Sequence, residues 1–153
     1  SWSTMDDNDK NPFNKPKYSV RYEKTGVKEV DEYLKKAAVI KGKVAFANYV
    51  VDQAGVGNVD LVTSAGPILV AALTALPADG QALATDGQTL IGDLPKLLAG
   101  PDALKIPKIA KGLNGAIDNV TGAMKAAPET GKALTKVVAN PGDVAAGATQ
   151  PSE

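Results

Sequence analysis

The chain has 153 residues, enough for one domain that folds on its own core, and its 17 Lys and Arg balance its 17 Asp and Glu. A formal net charge of zero argues against the broad electrostatic attraction on which nucleic-acid binding rests. With no cysteine and no histidine, disulfides, thiol nucleophiles, Cys- or His-ligated zinc and imidazole acid–base chemistry are all excluded.

Residues 1–24 read as an N-terminal arm. Acidic Asp6, Asp7 and Asp9 give way to a basic stretch broken by prolines, through Lys10, Pro12, Lys15, Pro16 and Lys17. Tyr18 to Glu23 alternates weakly, and coil is the simpler reading. Residues 25–140 form the domain, and 141–153, rich in Ala, Gly and Pro with little to bury, read as a flexible tail.

The domain is organised around a helix over residues 27–54. Val30, Tyr33, Ala37, Ile40, Val44, Ala47 and Val51 recur at steps of three and four, which keeps them on one face. Val39, Phe46, Tyr49 and Val50 make its second half apolar on nearly every side, as expected of a buried helix. Thr25 or Gly26 is placed to cap its start, and Gly55 and Gly57 to end it.

Asn58 is placed to cap a second helix over 59–76, with Leu61, Ala65, Ile68, Ala72 and Leu76 on one face and Leu69 and Leu73 beside them. The run from Leu61 to Ala78 carries no charge, but its densest apolar part falls short of the roughly 20 residues a membrane span needs. Pro77 predicts a break, followed by a third helix over 80–98. Leu76, Leu83, Leu90, Leu97 and Leu104 recur every seventh residue, yet Gly80 and Gly87 stand where a coiled-coil seam places large side chains. A bundle helix is therefore expected there. Ile106, Ile109, Leu113, Ile117, Val120, Met124 and Ala127 mark a further helix opened by Pro107. The stripe continues through Gly131, Leu134 and Val138, with a second break expected at Pro128. The predicted fold is an all-α antiparallel bundle of four to five helices.

No constellation carries a reaction, and no cofactor is implied. Asp79, Asp86 and Asp93 share a helix face but lack a partner base, so a solvated face is the simpler reading. Gly55-Val56-Gly57 lacks the later glycines and lysine of a phosphate loop. Asn11-Pro12-Phe13 matches a short adaptor-domain ligand and Asn119-Val120-Thr121 a glycosylation acceptor, both patterns that recur by chance. Helical glycines at 112, 115 and 122 suggest close helix approach. The strongest candidate surface is basic: Lys105, Lys108, Lys111, Lys125, Lys132 and Lys136 accompany the apolar stripe, as on helices that lie on anionic membranes or meet a partner.

The polar arm followed by an Ala/Gly-rich helical domain resembles the soluble part of a bacterial lipoprotein. That resemblance implies an exported protein of the periplasm or outer membrane, the alternative being the cytoplasm. The function expected is a non-catalytic structural or interaction module, meeting another envelope protein or a membrane surface and no nucleic acid. Carriage of a hydrophobic ligand is the alternative.

Overall fold

A computed structural model describes residues 21–141. The expected arm and tail fall largely outside that range, as does the Asn11-Pro12-Phe13 tripeptide. Arg21 to Thr25 carry no regular structure, as expected of coil.

The described residues form three long α-helices: α1 (Lys28–Gly55), α2 (Val59–Leu97) and α3 (Ile106–Ala139). A 3₁₀ turn, Gly100–Lys105, joins the last two. The all-α expectation holds, and the described residues contain three of the four to five helices expected. Gly66 and Gly80 of α2 face Val138 and Met124 of α3, so those helices run antiparallel. Tyr33 of α1 reaches Leu83 of α2, and Asn48 of α1 meets Thr130 of α3. The arrangement is up-down-up.

The N-cap of α1 is Val27 rather than the expected Thr25 or Gly26, although Thr25 Oγ1 accepts from the Val27 amide at 3.1 Å. Val27 contributes no side-chain bond. Instead the Asp31 carboxylate accepts from the Thr25 amide at 2.7 Å, Thr25 Oγ1 at 2.8 Å and the Gly26 amide at 3.1 Å. Partial burial acts to raise the Asp31 pKa. The bonds from Thr25 and Gly26, with the charge of Lys24, outweigh it and hold the group below its ordinary value. At the other end Gly57 takes φ +88°, the left-handed conformation that turns the chain. Asn58 then caps α2 as expected, its side chain accepting from the Leu61 amide at 3.2 Å.

Six of the seven expected seam positions of α1 are buried, Val51 being half-buried. Gly42, Phe46 and Val50 add a second buried stripe at i, i+4 and i+8, which accounts for the apolar character of that half. In α3 the buried set Ile109, Leu113, Ala116, Val120, Ala123, Ala127, Thr130, Leu134 and Val137 alternates steps of four and three without interruption.

The expected breaks at Pro77 and Pro128 do not occur. Pro67, Pro77 and Pro95 lie inside α2, and Pro128 lies inside α3. All four are exposed, so each ring projects to solvent rather than into the core. Burial argues for continuity. Val62, Gly66, Leu69, Leu73, Leu76, Gly80, Leu83, Gly87 and Leu94 hold one seam through Pro67 and Pro77, and a break would take half of them out of phase. At 39 residues α2 spans about 58 Å.

That seam corrects the expected face of α2. Its centre is the Leu69–Leu73 side, not Leu61 and Ile68, and Ile68 is 41% exposed. Leu76 and Leu83 are buried and Leu90 and Leu97 half-buried, while Leu104 lies beyond α2 on the 3₁₀ turn and is exposed.

Candidate functional site

The six lysines singled out above are all exposed, and Lys111, Lys125, Lys132 and Lys136 fall within about 60° of one another around α3, in a row interrupted by Asp118. Lys105 and Lys108 sit at the start of α3, bordering a recess of about 320 Å³ shared with Glu23, Thr25 and Leu34. Lys105 pairs with Asp102 at 3.4 Å, both side chains well exposed, a contact of little energetic weight. Lys111 and Lys125 lie on the side of α3 turned away from its seam. Lys132 and Lys136 lie about 40 Å from Lys108 along the helix, and they border the largest recess among those described.

That recess is an open groove of about 880 Å³ between α2 and α3. Val70, Leu73 and Thr74 form one wall, and the other runs from Ala127 through Pro128, Gly131 and Thr135 to Asn140. Its hydroxyls are turned back into their own helices. Thr74 Oγ1 donates to the Val70 carbonyl at 2.8 Å and Thr135 Oγ1 to the Gly131 carbonyl at 2.7 Å, so neither is presented as a free donor. What faces the groove is methyl and methylene surface, with Lys132, Lys136 and Glu129 on the α3 wall.

The groove continues onto an unusual helix face. By length and composition alone α2 could cross a membrane, and only 33% of its most apolar 18-residue window is buried. The reading of Leu61–Ala78 as a core helix is therefore half of the matter: one side is core, and the other, including Ala71, Thr74, Ala75 and Ala78, is exposed and uncharged.

A second cleft, of about 300 Å³ between α1 and α2, gathers Glu29, Glu32, Asp86 and Asp93 around Tyr33, with Lys36 on its border. The sequence places these carboxylates on separate helices, and only the antiparallel pairing of α1 with α2 brings them together. Asp79, the third member of the seven-residue series, does not line it. Tyr33 is no proton carrier at neutral pH: burial first, then the charge of Asp86, pushes its pKa up to about 12. Among the described residues no group of three or more acidic side chains is placed to hold a metal ion.

No protein-family model matches this chain, and no curated protein or solved structure matches it either.

Proposed function

We propose that this protein is a non-catalytic interaction module whose binding face is the α2/α3 groove and the uncharged side of α2 beside it. The observation that carries this reading is the composition of that face. From Leu61 to Ala78 no residue is ionised, and two thirds of the corresponding helix window is unburied. A soluble helix ordinarily turns a charged face outward. A contiguous apolar surface beside a large groove is what partner sites use. The placement in a bacterial envelope, as a lipoprotein-like module, belongs to the same proposal and is tested by fractionating the cells that make the protein.

The binding face itself is tested by photo-crosslinking in those cells, with the reactive residue introduced in turn at Thr74, at Thr135 and, as a control, at exposed Asn114. Position-dependent protein adducts from 74 and 135 but not from 114 are expected. Adducts of equal yield at all three positions, or at none, would remove the proposal.

A further inference from the structure

Building on the interaction-module reading, we infer that the α2/α3 groove receives one amphipathic α-helix of a protein partner, with acidic residues flanking its apolar stripe on the side that meets α3. Three observations carry this. The first is shape. The groove is a trough walled by two antiparallel helices and open along its length, the space a fourth helix fills in a bundle. The second is the size of its lining. Ala127, Gly131 and Ala139 let a helix backbone come close, and a side chain built on Gly131 would meet only Leu73, at an ordinary 3.9 Å. The third is charge. The α2 wall is uncharged over residues 61–78, whereas the α3 wall presents Lys132 and Lys136, exposed and one turn apart, against a single carboxylate, Glu129, which leaves it net positive.

Neither lysine has a carboxylate within 4 Å among the described residues. Carboxylates at i and i+4 on an incoming helix share that one-turn spacing. A lipid surface fits less well. Membrane-lying helices insert Trp, Phe or Leu, whereas α2 and α3 contain no aromatic residue and the exposed side of α2 offers Ile68 alone among large side chains.

The test titrates the isotope-labelled full chain with two synthetic helical peptides of about 21 residues, three heptads long. Both carry the same Leu/Ala stripe; one is flanked by Glu, the other by Lys. The acidic peptide is expected to bind about tenfold more tightly, with amide shifts at Val70, Leu73, Thr74, Gly131 and Thr135. The double variant K132E/K136E reverses that preference, and Gly131→Leu, which fills the trough, abolishes binding of either peptide. All three positions border the groove, so a folded variant is confirmed by its unchanged helical circular dichroism. Equal binding of both peptides, binding of neither, or shifts elsewhere overturns the inference. Vesicles of phosphatidylglycerol bound by the native chain and released by K132E/K136E, with both peptides inert, assign the face to lipid instead. Groove-specific crosslinks in cells beside inert peptides would discard the acidic helix and leave the interaction module standing.

Discussion

The phenol of Tyr33 donates a 2.9 Å hydrogen bond to the carbonyl oxygen of Leu83, fifty residues further along the chain. The bond lies in the core and ties the start of α1 to the second half of α2. Neutral phenol is the donor, so the fold favours the protonated form, in agreement with a pKa raised to about 12 from an ordinary 10.0. The sign follows directly. Stability from this group is complete below pH 10.0 and is lost as pH rises towards about 12. Tyr33→Phe is expected to lower stability by about 1 kcal/mol at neutral pH. It should also flatten the decline of urea midpoints between pH 9 and 11 relative to the native chain (a window bracketing the roughly 10 of an unperturbed phenol). Identical declines in the two proteins would show that the phenol is not protected.

Gly87 lies under the same phenol. A Cβ there would clash with Tyr33 Oη and stand 2.7 Å from Ile117 Cγ1. The phenol is held by its hydrogen bond and Ile117 is stiff at χ1, so neither yields easily. Gly87→Ala is expected to cost about 1–3 kcal/mol despite the better helix propensity of Ala. Gly80→Ala should cost less, because the obstructing atom, Met124 Cγ at 2.5 Å, belongs to a flexible, half-buried side chain. Gly115 and Gly122 have nothing within 4 Å of a built Cβ, so close approach does not explain them. Ala at either is expected to raise stability by up to about 1 kcal/mol, read from thermal melts.

These glycines also show what was legible in the sequence. The α1 and α3 stripes could be read because Val, Ile and Leu recur among the alanines of their seams, a period that apolar spacing detects. The α2 seam could not, because Gly66, Gly80 and Gly87 occupy it and carry no hydrophobic signal. The expected face was therefore turned towards Ile68, and the seven-residue spacing was set aside on account of the very glycines that make the seam work. The groove was half legible. Lys132 and Lys136 stood out by composition, but the wall opposite them, Val70 and Leu73, depends on antiparallel pairing with a helix assumed to end at residue 76.

Asp31 gives a second pH-dependent contribution, of opposite direction. Its carboxylate accepts three bonds from Thr25 and Gly26 and its pKa lies below the ordinary 3.8. The stability it contributes is therefore present above pH 3.8 and disappears as pH falls through the lowered value. Asp31→Asn is expected to destabilise the fold by about 1 kcal/mol at neutral pH and to converge with the native chain in strong acid. Hydrogen exchange locates the effect: the amides of the first turn of α1 should exchange faster, and those of α3 should not. Uniform acceleration would mean that Asp31 supports the whole bundle rather than one helix end.

The continuity of α2 is the feature on which both the groove and the bundle depend, and its prolines test it. Inside a helix, proline removes one hydrogen bond and crowds the preceding turn, at a cost of about 3 kcal/mol. Its stiffness in the unfolded chain returns about 0.4–1 kcal/mol of that. If α2 runs unbroken through residue 77, Pro77→Ala should stabilise the protein by about 2–3 kcal/mol, and Pro128→Ala in α3 should behave alike. Pro107 is the internal control. It stands at the start of α3, where no backbone donor is needed, so Pro107→Ala should be neutral or slightly destabilising. Denaturant midpoints of the three variants decide the matter. A loss of stability in Pro77→Ala would mean that the proline terminates a helix, which would restore a two-helix reading of residues 59–97 and remove the wall against which Lys132 and Lys136 are set.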